Sequence, residues 1–438
     1  MYRAWIDIRT GRASPNRATP EVLRLSSANT DKHLIYLDNA ATSWPKPPEV
    51  AAAMAAYLAE SGGNPGRSGH RLSIAAGRVV LEAREAVASL FNVDDPFRVI
   101  FTLNATHALN TALFGLLQPG DRAVTTAMEH NSIMRPLREL ERRGVEVVVI
   151  PCDTAGFVDV DRFQHELAQG ARVACFQHAS NVSGTIQPLE LLVTAARAAG
   201  SYTVVDAAQT AGVLPIDVTA TDIDLLAFTG HKGLQGPPGT GGLVLGPSFD
   251  PETLQPLVRG GTGSRSEFEE HPNMLPDRFE AGTPNGVGLA GLAAAIDVLT
   301  KRTVRRVRAE EQDLTARLQL ALAAIPGVRI YGPLDPSLRT AVLAIRIENV
   351  AQDEVGLILD EEFGVLTRVG LHCAPAAHRT LGTFPDGAVR LSLGYSTSPD
   401  DVDRTIEAIH HIATCAPHPP NGLDAVGKHL PSASEKPL

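Results

Sequence analysis

An α/β fold built on a largely parallel sheet, with a second and smaller α/β unit toward the C-terminus, is what this sequence predicts. Three observations carry that expectation. Short runs rich in apolar and β-branched residues alternate with longer helical stretches. Several of those runs, VEVVVIP and DLLAFTG among them, are apolar almost throughout, as strands covered on both faces must be. Finally, a chain of 438 residues exceeds what a single hydrophobic core usually serves.

Taken in order, residues 1–30 are an N-terminal extension rich in polar residues, read as partly mobile. Residues 31–50 form a segment expected to pack with the smaller unit, 51–300 the large unit, 301–415 the small C-terminal unit, and 416–438 a disordered tail. Within the large unit, the helical stretches EVAAAMAAYLAE and AAGRVVLEAREAVASLF lead to the strand RVIFT, and HALNTALFGLL leads to RAVTT. The strands VEVVVIP and RVACFQH follow, then the helix LLVTAARAAG and the strands YTVVDAA and DLLAFTG. A helical bridge from Gly286 to about Ala323 leads into TAVLAIRIE, AQDEVGLILDEEFG, AVRLSLGY and DDVDRTIEAIHHIAT. Ligands of such sheets sit beyond the carboxyl ends of the strands.

Composition narrows the function. A formal net charge of −10 gives no electrostatic case for nucleic acid or an anionic membrane as partner, which leaves small-molecule chemistry. No apolar run reaches the length a membrane helix needs, and MYRAWIDIRTGRASPNRATP lacks the apolar core of a secretory leader, so a cytoplasmic location is expected. Cys152, Cys175, Cys373 and Cys415 are too widely spaced to suggest a metal site or a disulfide framework. The octet GPPGTGGL at 236–243 comes within two residues of a phosphate loop, but Gly242 and Leu243 stand where the lysine and hydroxyl must be. The run GGLVLG also continues as a strand, whereas a phosphate loop opens a helix.

The chemistry lies at the strand ends. Asp206 follows the run YTVV, and Lys232 follows DLLAFTGH. An acid and an amine on neighbouring strand tips suit pyridoxal phosphate (PLP), whose aldehyde bonds a lysine and whose pyridine nitrogen needs an acid partner. Each residue alone also has a plain reading, Asp206 as a helix cap and Lys232 as a solvated amine. His130 in EHNSIMRPL can stack on the ring and relay protons, or cap a helix. Thr106 and His107 open a helix, where free N–H groups and a hydroxyl suit a phosphate. Asn181 and Gln209 are apt to bond the ring hydroxyl.

The stretches YLDNAATSWPKP (36–47), MEHNS (128–132), HASNVSGTIQP (178–188), DAAQTAG (206–212), TGHKG (229–233), FEAGTPN (279–285) and TRVGLHCAP (367–375) together resemble the class V aminotransferase-type enzymes, specifically group II cysteine desulfurases. The similarity covers roughly residues 34–412. It implies the PLP-dependent transferase fold of type I, a homodimer, and a set of roles. Lys232 bonds the cofactor, Asp206 pairs with the pyridinium, His130 stacks and relays protons, and Gln209 meets the phenolate. Thr106, Thr229 and His231 hold the phosphate, joined by Thr283 of the neighbouring subunit. Asn181 and Arg390 grip the substrate carboxylate, with Arg368 and Ala40 also facing substrate. His107 stands where many members carry another polar residue.

Cys373 decides the expected reaction. It sits in a stretch bounded by Gly and Pro beside Arg368 and His372, whose positive charge would favour a thiolate. Cys152 and Cys175 lie at or within strand-like runs and read as small buried hydrophobes. The spacing in TRVGLHCAP resembles the short cysteine loop of group II desulfurases, which implies L-cysteine as substrate, a persulfide on Cys373, alanine as product and a sulfur-acceptor protein as partner. A selenocysteine lyase or another class V lyase on the same scaffold is the competing reading.

Overall fold

The computed structural model describes residues 34–65, 69–265 and 267–415, so the tails expected at 1–30 and 416–438 lie outside the described residues. The described residues from Ile35 to Cys415 belong to one compact unit. A two-residue strand β1 (Ile35–Tyr36) precedes the strands of the main sheet: β2 (Val99–Thr102), β3 (Arg122–Thr126), β4 (Glu146–Ile150), β5 (Val173–Gln177), β6 (Tyr202–Asp206), β7 (Leu225–Thr229) and β8 (Gly241–Leu245). Their spatial order is β2-β8-β7-β6-β5-β3-β4. Only β8 runs against its neighbours, antiparallel to both β2 and β7.

The connection explains β8. A parallel neighbour needs a long crossover, usually helical. Residues 230–240 contain no helix, so the chain turns back beside β7. The turn closes on itself: the Gly230 N–H donates to the Thr240 carbonyl (2.8 Å) and the Gly236 N–H to the Gly230 carbonyl (2.7 Å). A Cβ on Gly241 would fall 2.7 Å from the Asn104 backbone, so only glycine lets β8 run this close to the start of the helix Ala105–Leu116. Gly236, Gly241 and Gly242 of GPPGTGG therefore serve close packing, while Gly239 supplies a left-handed turn position, φ 77.

Period-two alternation distributes each strand between two cores. Ala174, Phe176, Leu226 and Phe228 enter the cluster under one face, with Phe91 and Phe163. Val173, Cys175, Leu225 and Ala227 enter the opposite cluster, with Leu109, Leu113 and Ile133. Every residue of β5 and β7 is buried, as expected of strands sandwiched by helices. Truncating Phe176 or Phe228 to alanine should cost about 3–5 kcal/mol. A sheet this firmly held makes a rigid base for its strand tips.

The expected helical bridge is two helices, Gly286–Arg302 and Val304–Ala323, broken at Thr303. Thr303 has φ 68, and its hydroxyl accepts the Arg306 N–H to cap the second helix. Beyond it lie β9 (Val328–Tyr331), β10 (Val342–Ile347), β11 (Val365–Leu366), β12 (Arg368–Gly370) and β13 (Ala388–Ser392). Four of these form an antiparallel sheet in the order β12-β13-β10-β9. β1 pairs in parallel with β11, and Asp38 bridges to Ser392, which ties the segment after residue 34 to this smaller sheet.

Candidate active site

The carboxyl ends of the central strands open onto a cavity of about 250 Å3. Gln177 and Asp206 end β5 and β6 in register, and Thr229 ends β7, followed by His231 and Lys232. On its other side β3 leads to His130, which caps the helix Asn131–Arg142, and β2 leads to Asn104, which caps Ala105–Leu116. Arg368, His372, Cys373 and Arg390 reach the cavity from the smaller sheet and the loop beside it.

 Convergence of this kind is what topology provides, and each side chain's state then follows from its neighbours.

Lys232 is largely enclosed. Burial brings its ammonium down to about 8, opposed by Asp206 and assisted by Arg390 and Arg368. Asp206, 5% exposed, is raised by burial, against the N–H of Ala208 (2.8 Å) and the charge of Lys232, which favour its carboxylate. The loop that carries the lysine is pinned through one carbonyl: that of His231 accepts from the Ser43 N–H (2.9 Å), the Thr42 hydroxyl (3.1 Å) and the Lys46 ammonium (2.8 Å).

His130 Nδ1 accepts the Ser132 N–H (3.0 Å), so the neutral ring carries its proton on Nε2. Burial first, then the charges of Lys232 and nearby arginines, lower its pKa to about 4, which keeps it neutral near pH 7. The Ser132 hydroxyl lies 2.7 Å from the same nitrogen and 2.9 Å from the Thr106 hydroxyl. At the helix start, the Asn104 side chain takes the His107 N–H and its carbonyl takes that of Ala108. Ala105 and Thr106, whose N–H groups have no partner further back in the helix, line the cavity.

Arg390, 2% exposed, donates to Asp38 (2.5 Å) and to the Asn181 carbonyl (3.1 Å). Asn181 in turn donates from Nδ2 to the His372 carbonyl (2.7 Å), which links the arginine to the cysteine loop. Gln209 donates to the Ala40 carbonyl (3.0 Å). Cys373 is exposed, and both it and His372 adopt left-handed backbone, φ 57 and 50. Non-glycine residues held there cost about 1–3 kcal/mol each, so the surroundings must hold the turn.

Of the residues singled out in the sequence, the structure gathers Lys232, Asp206, His130, Gln209, Thr106, Asn181, Thr229, His231, Arg368, Arg390, Ala40 and Cys373 around one cavity. His107 and Thr283 are elsewhere, together on a second cavity of about 440 Å3. The expectation that His372 supplies positive charge to Cys373 is corrected: burial and Arg390 drive its pKa to about 3, so it is neutral. Four contributors escaped the sequence reading. Ser132 was visible in EHNS, and Lys46 and Asp38 in LDNAATSWPKP, but only the fold aims them here. Glu129, fully buried beneath Asp206 and raised to about 8 chiefly by burial, accepts the Gln177 N–H (2.9 Å) and had no sequence signal beyond its place beside His130.

The donor set fits PLP. Buried polar atoms of three cavity residues, the Thr229 hydroxyl, Asn181 Oδ1 and Arg390 Nε, have no protein partner, which marks places for a polar ligand. Hydroxyls and a helix start suit a phosphate, Asp206 suits a pyridine nitrogen, and Lys232 suits an aldehyde.

Comparison with known proteins agrees with this arrangement. The family described as aminotransferase class-V matches residues 35–405. A probable cysteine desulfurase of Methanothermobacter thermautotrophicus is 36% identical over 384 residues, covering 86% of this chain and 94% of the relative. Another, from Pseudomonas putida, is 34% identical and covers 86% and 93%. Among solved structures, the apo cysteine desulfurase of Thermococcus onnurineus superposes with a TM-score of 0.82 at 32% identity, covering 87% of this chain and 95% of that one. A cysteine desulfurase of Escherichia coli in an S-sulfonic acid form gives 0.78 at 30% identity, with coverage of 87% and 95%.

Proposed function

This chain belongs to the class V aminotransferase family, and from that premise we propose that it is a PLP-dependent cysteine desulfurase acting on L-cysteine. The observation that carries the reading is an exposed cysteine, Cys373, on the rim of the same cavity as the half-buried Lys232 and the buried Asp206. A transaminase has no use for a thiol there.

Bound PLP supplies an electron sink that weakens the bond between Cβ and sulfur in cysteine. Lys232 is the residue that holds the cofactor, and its lowered pKa leaves a substantial neutral fraction near pH 8, able to take and return a proton. Asp206 keeps a negative charge facing the ring nitrogen. His130, neutral and protonated on Nε2, presents a donor to the cavity while Ser132 holds its other nitrogen. Arg390 binds the substrate carboxylate, and Arg368 adds positive charge on the same side. The Cys373 thiolate attacks the sulfur of cysteine; the Cβ–S bond breaks, the S–S bond forms, and the electron pair left on Cβ takes a proton. L-cysteine and the Cys373 thiol thus become L-alanine and a Cys373 persulfide, with atoms and electrons balanced.

The proposal includes a homodimer in the cytoplasm and a protein that accepts the sulfur. Thr283, exposed and remote from its own Lys232 cavity, supports a site completed by a second copy. Among the described residues no helix is long and apolar enough to cross a membrane. The test is alanine release from L-cysteine together with mass spectrometry of the protein: one added sulfur on Cys373, absent in Cys373→Ala, is expected. Full persulfide-independent turnover by Cys373→Ala would favour a lyase instead.

A further inference from the structure

Behind the cysteine loop, a chain of hydrogen bonds runs away from the cavity. His372 Nε2 is 3.0 Å from the Arg368 carbonyl, His372 Nδ1 is 3.1 Å from His378 Nε2, and His378 Nδ1 is 2.7 Å from the Thr383 hydroxyl. His378 and Thr383 are buried and do not line the cavity.

The directions of these bonds are determined. A carbonyl only accepts, so His372 carries a proton on Nε2. Burial, with Arg390 and Arg368 around His372 and Arg346 beside His378, keeps both rings neutral near pH 7. His372 Nδ1 is then an acceptor, which makes His378 Nε2 the donor. His378 Nδ1 must therefore accept, and the Thr383 hydroxyl donates to it. Each tautomer is fixed by the next group along, and Thr383 ends the chain.

The same turn is held on its other sides through its main chain. Asn181 donates to the His372 carbonyl (2.7 Å), and the Asn131 N–H donates to that of Cys373 (2.9 Å). The chain from His378, with the Arg368 carbonyl on the other ring nitrogen, fixes the side chain of His372, the first of two consecutive left-handed residues that would otherwise relax toward right-handed backbone. If position 378 only filled space, neither its donor nor a hydroxyl to orient it would be needed.

We propose that His378, oriented by Thr383 and acting through His372, is a positioning residue for Cys373: its donated hydrogen bond holds the turn left-handed and keeps the sulfur at the cavity. The inference rests on Cys373 as the sulfur acceptor.

The test compares His378→Leu, His378→Gln and Thr383→Val in the full-length holoenzyme. Glutamine places an amide N–H near the position of imidazole Nε2–H and restores the donor; leucine does not. Single-turnover persulfide formation on Cys373 at saturating L-cysteine should slow at least tenfold in His378→Leu, with KM and the PLP absorbance unchanged, and recover to within threefold of wild type in His378→Gln. Wild-type rates in His378→Leu overturn the inference. Equal losses in the leucine and glutamine variants overturn it too, because shape rather than the donor would then matter. If His378→Leu does not fold, Thr383→Val decides: a slowed rate at unchanged KM supports the relay, and a wild-type rate refutes it. Iodoacetamide alkylation of Cys373, which needs no turnover, should be faster in the variants that free the loop and restored in His378→Gln. Wild-type enzyme that gains no sulfur on Cys373 removes the functional reading, whereas normal wild-type persulfide with an unaffected His378→Leu removes the positioning role alone.

Discussion

Substituting Asp38 by asparagine should weaken the fold and tighten substrate binding at once. Asp38 is the counter-charge of Arg390, 2.5 Å away, and the arginine side chain is only 2% exposed against 22% for the aspartate. Breaking a buried pair by removing one partner costs about 3–5 kcal/mol. Asparagine keeps an accepting oxygen, and Asp38 is partly solvated, so about 2 kcal/mol of stability should be lost after that discount. Substrate moves the other way. A carboxylate bound by Arg390 shares the guanidinium with Asp38, and two negative charges about 6 Å apart repel by about 3 kcal/mol at an effective dielectric of 20. Solvent at Asp38 should reduce this to about half, so KM for L-cysteine should fall roughly tenfold in Asp38→Asn. Denaturant midpoints of the holoenzyme and initial rates of alanine formation measure the two effects. A KM that is unchanged or higher, in protein with its full complement of PLP, would show that Arg390 does not bind the carboxylate in competition with Asp38.

Lys232→Ala should lose the covalently held PLP that borohydride otherwise fixes; in wild-type apo-protein the capture of PLP should speed up from pH 7 to 9, because only the neutral amine attacks and its pKa is about 8. Reduced cofactor on a different lysine, or a pH-independent rate, counts against the assignment. Thr283→Asp and Lys232→Ala homodimers should each be inactive, while mixed dimers confirmed by tag pull-down should regain activity, since both defects then fall in one of two shared sites; dead mixed dimers mean that Thr283 serves its own chain. Stability should fall as pH drops from about 6.5 to 4. His130, His178, His231 and His378 are lowered to about 4, chiefly by burial, so in that window the unfolded chain binds protons there that the folded chain does not; Glu129 and Glu311, raised to about 8 by burial, oppose this but are outnumbered. A denaturant midpoint that is level or higher at pH 5 than at pH 7 refutes this.

What the sequence determined by itself is local. The run YTVVD ends in its acid and DLLAFT delivers its lysine three residues on, because strand propensity and period-two burial are written in neighbouring residues. The cap at Asn104 and the cap at His130 are likewise matters of a few positions. Motif resemblance then carried the chemistry from Lys232 and Asp206 to Cys373. The tertiary structure decided what depends on residues far apart. Arg390 meets Asp38 across 352 positions, and Asn181 meets the His372 carbonyl across 191. Whether His372 is a cation could not be read from TRVGLHCAP, since the charge of an imidazole is set by burial and by what faces it. Here burial comes first and the charge of Arg390, arriving from another strand, adds to it, so the ring is neutral. The separation of His107 from Thr106, adjacent in sequence yet on different cavities, has the same origin: successive helical residues point about 100° apart, and only packing tells which direction holds the site.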